Sequence, residues 1–144
     1  MEAAIPYFPG CTLTNKAKGL NETAKECLNI LGLELKELKN WYCCQADFSM
    51  LSDNLMNHLA PVRTLISARK EGEKLAVLCS TCYYVLKRVN CLMEKNESKR
   101  KTVFDFLEEE YKGPIQIVHF LELVRDEIGF DRLKEKVKVN LADL

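Results

Sequence analysis

The stretch Leu75–Cys82, LAVLCSTC, decides the fold of this 144-residue chain. The four apolar residues at 75–78 are typical of a strand that is buried on both faces, as in the middle of a parallel sheet. Cys79 and Cys82 follow at once and open a stretch to about Glu94 with helical periodicity. A strand that leads through a cysteine pair into a helix indicates an α/β unit with thiols at the carboxyl end of the strand.

The same alternation of strand and helix continues on both sides of this stretch. Strands are predicted over 4–8, 33–38 and 115–120, and helices over the residues up to Leu31, over 48–71, 99–111 and 122–129. A loop is expected around 11–15, and the polar run KNESKRK at 95–101 is expected to be a solvated loop. The pattern predicts an α/β fold with a mainly parallel sheet of about four strands flanked by helices.

Two apolar stripes define the buried faces of the first two long helices. Pro61 interrupts the second stripe, so a kink or a helix restart is expected near Leu59. Gly32 and Gly72 are expected to end the two helices. The stripes consist of Ala17, Leu20, Ala24, Leu28 and Leu31, and of Phe48, Leu51, Leu55, Leu59, Val62 and Ile66.

Five cysteines follow predicted strands and are expected to share one pocket. Cys11 is separated by 31 residues from the adjacent pair Cys43 and Cys44, and 34 further residues precede Cys79 and Cys82. Sites in open parallel sheets lie beyond the carboxyl ends of the strands. The three groups, distant in sequence, are therefore predicted to converge at one edge of the sheet.

The number and spacing of these thiols favour an iron–sulfur cluster over a single zinc ion. A structural zinc site uses four ligands, usually in two close pairs, and would leave one cysteine over. A cluster with several irons can use five thiolates, and neighbours such as Cys43 and Cys44 can bind different irons. Cys82 is expected in the first turn of a helix, where the dipole favours thiolate. Zinc, a thioredoxin-like dithiol at Cys79 and Cys82, and plain buried thiols remain alternatives.

Composition narrows the setting in which these thiols work. The chain has seven cysteines, an odd number, and it begins without the basic and apolar segments of an export signal. A reducing, cytoplasmic compartment is therefore expected. Lys plus Arg equals Asp plus Glu at 21 each, which argues against a nucleic-acid partner. No apolar run is long enough to predict a transmembrane segment.

The segments Tyr7–Cys11 (YFPGC), Cys43–Cys44 and Cys79–Cys82 (CSTC) together resemble the cysteine-rich CCG domain. The resemblance covers roughly residues 4–125 and is greatest to the N-terminal half of the heterodisulfide reductase B subunit. The CCG motif also occurs in iron–sulfur subunits of hydroxy-acid and quinone-linked dehydrogenases, and the motif does not choose between these families.

The resemblance implies a cofactor, a reaction and partners. Cys11, Cys43, Cys44, Cys79 and Cys82 would be the ligands of a noncubane [4Fe-4S] cluster. The implied function is electron transfer and disulfide reduction, with electrons arriving from iron–sulfur and flavin-bearing redox subunits. No catalytic side chain is predicted beyond the ligands.

The chain departs from the family pattern in three respects. Gln45 stands where the family often has glycine, and its side chain is expected to affect the cluster surroundings. The 34-residue gap before Cys79 is about a residue shorter than usual. Family members carry two motifs, so residues 1–144 are expected to be one CCG domain, half of a two-motif protein and inactive alone. The end VKVNLADL, 137–144, lies where the strand of a second half would begin.

The remaining chemistry-bearing residues are expected to have mainly structural roles. Cys27 and Cys91 are predicted to pack in the core, and His58 to be a solvated surface side chain. His119 ends the fourth strand on the cysteine edge, where it could donate a hydrogen bond to a cluster sulfur, although a helix-capping role is favoured. Trp41 and Tyr42 are expected to pack around the pocket and are not among the five expected ligands.

Overall fold

The computed structural model describes residues 4–49 and 54–139, and this part of the chain contains a four-stranded parallel sheet. The strand order is β2-β1-β3-β4, and the register places Tyr7 beside Ala76 and Val77 beside His119. The predicted α/β class is confirmed. The strands are β1 (Ile5–Phe8), β2 (Leu35–Glu37), β3 (Lys74–Val77) and β4 (Gln116–His119).

Helices connect the strands and follow the last one. The helices before β3 are α1 (Gly10–Thr14), α2 (Lys18–Ile30), α3 (Ala46–Ser49), a 3₁₀ helix (Leu55–His58) and α4 (Leu59–Glu71). Those after β3 are α5 (Ser80–Lys95), α6 (Glu97–Leu107), α7 (Phe120–Glu122), which continues as a π-helix (Leu123–Ile128), and α8 (Phe130–Lys136).

Helices cover the sheet on both faces because successive strand residues point to opposite sides. Phe8, Leu75 and Val77 belong to a core shared with α4, α5 and α6. Their neighbours Tyr7 and Ala76 belong to a second core, shared with α2, the π-helix and α8. Burying a side chain of this size contributes about 1.5–3 kcal/mol, so each face supplies a large part of the folding free energy.

The predicted helix ends are confirmed. Gly32 follows α2 with φ +89°, and the amide of Gly72 closes α4 on the carbonyl of Ala68. Pro61 is the third residue of α4, which begins at Leu59 as expected. Proline is tolerated there because the first amides of a helix have no partner within it.

Several local predictions were wrong. The expected loop around 11–15 contains the short helix α1, and KNESKRK is helical from Glu97 rather than a solvated loop. The long helix over 48–71 is instead α3, the 3₁₀ helix and α4, while Leu51 lies outside the described residues. The predicted stripe residues Leu20 and Phe48 are exposed.

These differences have local causes. The side chain of Asn96 accepts the amide hydrogen of Lys99, and this N-cap starts α6 within the charged run. Asn54 likewise accepts the amide hydrogen of Met56 and starts the 3₁₀ helix, which changes the helical phase before α4. A continuous 3.6-residue stripe cannot be carried through such a change of phase.

The C-terminal part of the described chain adds a helix that was not predicted, α8, and it packs through Leu133 against the second core. Residues 137–139 form no strand, and the rest of the expected strand segment lies outside the described residues. Among the helices described, none combines the length and apolar character needed to cross a bilayer.

Candidate metal centre

The strand order creates a crevice at the carboxyl edge of the sheet. The chain leaves β1 toward β2 on one side and later returns to β3 on the other side of β1. Connections that diverge from two neighbouring strands open a crevice between them, and ligands of open α/β sheets bind at such a switch point. Cys11 follows β1 and Cys79 follows β3, so the two cysteines border this crevice.

The buried members of the cysteine group are Cys44 and Cys82. Their Sγ atoms lie 3.4 Å apart, and both residues belong to the core that α4 and α5 share with the sheet. Cys79 is the N-cap residue of α5, and Cys82 lies in its first turn, as predicted. The CxxC spacing therefore puts both thiols at the positive end of a 16-residue helix.

The outer members are Cys11 and Cys43, which are both exposed. Their Sγ atoms lie 3.9 Å apart. Cys11 is held on α1, where its carbonyl accepts a 2.9 Å hydrogen bond from the side-chain amide of Asn15. The structure thus groups the predicted thiols around one edge as an inner pair and an outer pair, with Cys79 beside Cys82.

The hydrogen bond between the two inner thiols shifts their pKa values in opposite directions. It lowers the pKa of Cys44 to about 7. The same bond, together with burial, raises the pKa of Cys82. At Cys82 the direct hydrogen bond and burial oppose the helix dipole, which was expected to favour a thiolate there.

The outer thiol of Cys43 is also affected by its neighbours. Desolvation raises the pKa of Cys43, while the hydrogen bond that the Gln45 amide donates to the Cys43 sulfur, with nitrogen and sulfur 3.4 Å apart, opposes this shift. Gln45 reaches that position with φ +54°, a left-handed conformation that only glycine adopts without strain. The backbone of Gln45, as well as its side chain, therefore contributes to the surroundings of the cysteine pair.

Gly10 leaves the room that the inner pair occupies. A Cβ atom at Gly10 would lie 3.1 Å from the Cys82 sulfur and 3.3 Å from the Phe8 ring, and its φ is +73°. Both the conformation and the close approach require glycine. The sequence PGC after the first strand therefore encodes a close approach of α1 to the start of α5.

The thiols are arranged in pairs rather than around one point. Within residues 4–49 and 54–139, no three Cys, His, Asp or Glu side chains lie close enough to hold a single metal ion. The arrangement as it stands therefore differs from the four-ligand set of a structural zinc site.

Residues 38–45, between β2 and α3, form a loop that contains Cys43 and Cys44 and is called the double-cysteine loop. Thr64 holds this loop, and the sequence analysis did not identify Thr64 as a site residue. Its side chain is fully buried on α4, and its hydroxyl accepts the amide hydrogen of Tyr42 at 2.9 Å. The carbonyls of Tyr42 and Ala60 both lie 3.3 Å from the same hydroxyl. The available signal was a hydroxyl residue between the apolar positions Val62 and Ile66 of the predicted stripe.

His119 caps the helix that follows it, which was the favoured expectation. Its Nδ1 accepts the amide hydrogen of Leu121 at 3.2 Å, and the carboxylate of Glu122 accepts the amide hydrogen of His119 at 2.7 Å. With Nδ1 as acceptor, the neutral ring carries its hydrogen on Nε2, which lies 3.3 Å from the hydroxyl of Ser80. His119 therefore contacts α5 through Ser80, one of the two residues between Cys79 and Cys82.

The other residues divide between confirmed and wrong predictions. His58 is buried, with 1% of its surface exposed, so its assignment as a solvated surface residue was wrong. Cys27 packs against the second core as predicted, and Cys91 is partly buried on the second half of α5, away from the edge. Neither joins the thiol group.

The two aromatic residues before the cysteine pair behave differently. Trp41 packs edge-on against Phe8, with ring centroids 5.4 Å apart, as expected of a residue that supports the pocket. The Tyr42 ring is 44% exposed and lies under the guanidinium of Arg63, so its predicted packing role was wrong. The backbone of Tyr42, rather than its ring, is fixed to the core.

Comparison with known proteins identifies relatives that match nearly the whole of this chain. The 8-methylmenaquinol:fumarate reductase membrane anchor subunit of Wolinella succinogenes is 27% identical over 147 aligned residues, which cover 100% of this chain and 50% of the relative. The B subunit of the ferredoxin:CoB-CoM heterodisulfide reductase of Methanosarcina mazei is 29% identical over 95% of this chain and 47% of the relative. The corresponding B subunit of the ferredoxin/F(420)H(2)-dependent enzyme of Methanosarcina acetivorans is 26% identical over 96% and 48%.

These relatives are about twice as long as the region they share with this chain, which spans about half of their length. The family model of the CCG cysteine-rich domain matches residues 5–87, from β1 to the first half of α5. The matched region contains all five cysteines of the carboxyl edge and excludes Cys91. By this match the chain belongs to the CCG cysteine-rich domain family.

Proposed function

We propose that this chain is an iron–sulfur redox module of the type found in the heterodisulfide reductase B subunit. Cys11, Cys43, Cys44, Cys79 and Cys82 would hold a [4Fe-4S] cluster of the noncubane type. The observation that carries the proposal is the convergence of the inner and outer thiol pairs at the switch point of the sheet. Similarity to the B subunits of two heterodisulfide reductases supports it.

The residues of the edge fit such a group chemically. Iron–sulfur clusters are held by cysteine thiolates, and five thiols from three loops offer more ligands than one ion needs. The start of α5 favours a bound anion, and Gly10 keeps the approach to Cys82 open. Binding would replace the thiol hydrogen that now lies between Cys44 and Cys82, so loading releases protons.

Each part of the edge would have its own task. A cluster, when bound, would pass electrons singly from the donor subunits, and two such electrons with two protons would convert a disulfide to two thiols. The inner thiols fix its position against the core, and the exposed outer thiols leave it accessible from solvent. The capping contacts with Leu121 and Glu122 hold His119, whose Nε2 lies 3.3 Å from the Ser80 hydroxyl, so His119 would act on the site through Ser80.

The whole activity would need more than this chain. We propose that the chain supplies one CCG motif and that a second CCG half completes the active unit, since the relatives are about twice as long. Iron–sulfur and flavin-bearing subunits would be the electron donors, a disulfide the substrate and the cytoplasm the compartment. The isolated chain is then expected to bind a cluster without turning over.

A second candidate is an electron-transfer subunit of a quinone-linked or hydroxy-acid dehydrogenase. The relative from Wolinella succinogenes favours it, because that protein is named as a subunit of an 8-methylmenaquinol:fumarate reductase. Both candidates use the same cluster, so they differ in the partner with which electrons are exchanged. A zinc-stabilised interaction domain is the third possibility.

The decisive experiment is a metal analysis of protein purified and reconstituted without oxygen. About four irons and four acid-labile sulfides per chain, with a paramagnetic oxidised state, are expected for the proposed cluster. One zinc and no iron after reconstitution would refute the redox function and favour the interaction domain.

A second experiment separates the two redox candidates. Stopped-flow absorbance would follow oxidation of the reduced cluster by a mixed disulfide and by a naphthoquinone, each with the candidate second half present. Oxidation by the disulfide alone supports the heterodisulfide reductase type. Oxidation by the quinone alone supports the dehydrogenase type.

A further inference from the structure

Two hydrogen bonds of different exposure join the double-cysteine loop to α4. The more shielded one joins the backbone of Tyr42 to the hydroxyl of Thr64, a residue with no exposed surface. The exposed one joins the amide of Lys39 to the carboxylate of Glu71 at 3.1 Å. Water competes more with an exposed hydrogen bond than with a shielded one.

The Tyr42 amide immediately precedes the cysteine pair. Fixing this amide therefore restricts the backbone that leads directly into Cys43 and Cys44. The Cys43 sulfur lies 3.9 Å from that of Cys11, and the Cys44 sulfur lies 3.4 Å from that of Cys82. A shift of this peptide would therefore move one member of each thiol pair while Cys11, on α1, and Cys82, on α5, stay in place.

We propose that Thr64 is a positioning residue for the metal centre: its buried hydroxyl fixes the Tyr42 backbone to α4 and so sets where Cys43 and Cys44 stand relative to Cys11 and Cys82. The hydroxyl accepts from the Tyr42 amide and donates its own hydrogen to the carbonyl of Tyr42 or Ala60. The role in cluster binding rests on the proposed function, whereas the fixing of the loop does not.

The test compares Thr64→Val, which keeps the shape and removes the hydroxyl, with Thr64→Ser, which keeps the hydroxyl. In the apoprotein, hydrogen exchange of the Tyr42 amide should become about tenfold faster in Thr64→Val, as loss of a buried hydrogen bond requires, and stay near wild type in Thr64→Ser. After anaerobic reconstitution, iron per chain and the EPR signal should fall in Thr64→Val and recover in Thr64→Ser.

Thr102→Val is the matched control. Thr102 lies on α6, and its hydroxyl donates to the carbonyl of Ser98 four residues earlier, a contact within one helix. Its loss should leave both Tyr42 exchange and iron loading unchanged. Equal behaviour of Thr64→Val and Thr102→Val would overturn the proposal.

A measurement on the wild type keeps the proposal testable if Thr64→Val does not fold. The Tyr42 amide should exchange more slowly than the Lys39 amide, whose acceptor is on an exposed side chain. Exchange of Tyr42 as fast as that of Lys39 would refute the fixing role. Failure of the wild type to take up iron would instead refute the proposed function, because the exchange experiment needs no cluster.

Discussion

The two thiol pairs of the edge differ in what holds them. Cys44 and Cys82 are 3% and 6% exposed, and Cys82 belongs to a 16-residue helix packed on the sheet. Cys11 and Cys43 are exposed and lie on the five-residue helix α1 and in a loop. The inner pair is therefore fixed by the core of the protein, and the outer pair only by local contacts.

This difference shows how a fold can combine precision with access. A group bound at the edge would be located by the inner sulfurs, whose surroundings are close-packed. The outer sulfurs would face solvent, where a substrate or partner can approach. Substitutions at the two pairs should therefore have different consequences.

The largest expected effect is that of removing an inner thiol. Cys44→Ala and Cys82→Ala should abolish the intact-cluster EPR signal and leave background iron, because no buried pair remains to fix the group. Cys11→Ala and Cys43→Ala should also lose that signal but retain part of the iron. Iron analysis after anaerobic reconstitution measures the difference.

The control for these variants uses the other two cysteines. Cys27→Ala and Cys91→Ala should load iron as the wild type does, since neither residue belongs to the edge. Equal iron loss in all six variants would contradict the distinction between site and packing cysteines.

The next effect concerns the space beside the inner pair. Gly10→Ala places a Cβ atom against the Cys82 sulfur at φ +73°, so both crowding and strain are expected, at about 2–3 kcal/mol of unfolding free energy. Gly113→Ala has φ +88° and open space, so strain alone is expected, about 1 kcal/mol. Urea denaturation gives both values, and only Gly10→Ala should reduce iron loading. A Gly10→Ala variant no less stable than Gly113→Ala would show that the approach to Cys82 is not tight.

A smaller effect is expected at the outer pair. Gln45 and Glu108 both have φ +54°, so Gln45→Gly and Glu108→Gly should each stabilise the fold by about 0.5–1 kcal/mol through relief of left-handed strain. Gln45→Gly should in addition improve iron retention, because Gln45 directly follows the cysteine pair. If Glu108→Gly improves retention equally, the effect comes from global stability and not from the loop.

The smallest effect concerns the support of α5. The amide of His119 and the hydroxyl of Tyr83 lower the pKa of Glu122 below its ordinary 4.5. The stabilisation by the ionised carboxylate is therefore complete above pH 4.5 and is lost as pH falls through the lowered pKa. Urea denaturation should show a difference between wild type and Glu122→Gln that shrinks below pH 4.5. Glu135→Gln, at an exposed carboxylate of α8, is the matched control for removal of a carboxylate.

Much of the architecture could be predicted from the sequence, and residues 75–82 show why. A short apolar run followed by CSTC indicates a buried strand that enters a helix, and β3 and α5 lie at those positions to within one residue. The convergence of the cysteines followed from the parallel sheet, since carboxyl ends share one edge. In both cases the pattern of apolar residues along the chain was enough to predict the strands and helices.

The wrong predictions about helix continuity and buried faces have a shared cause, which is that capping and packing change the local helical phase. Asn54 starts a 3₁₀ helix before α4, and His58 at its end is buried instead of solvated. Leu20 has the period of a buried residue but is 58% exposed on α2. A periodicity argument assumes one continuous helix and one covering layer, and the sequence does not state where either assumption fails.

The sequence by itself determined the fold class, the edge at which five thiols meet and their spacing along the chain, because strand order along the chain and thiol positions are local properties. Only the tertiary structure decided how the thiols are paired, that this pairing lowers the pKa of Cys44 and raises that of Cys82, and that Thr64 holds the backbone just before the cysteine pair. Those facts depend on distances between segments far apart in sequence, and such distances are set when the helices pack on the sheet.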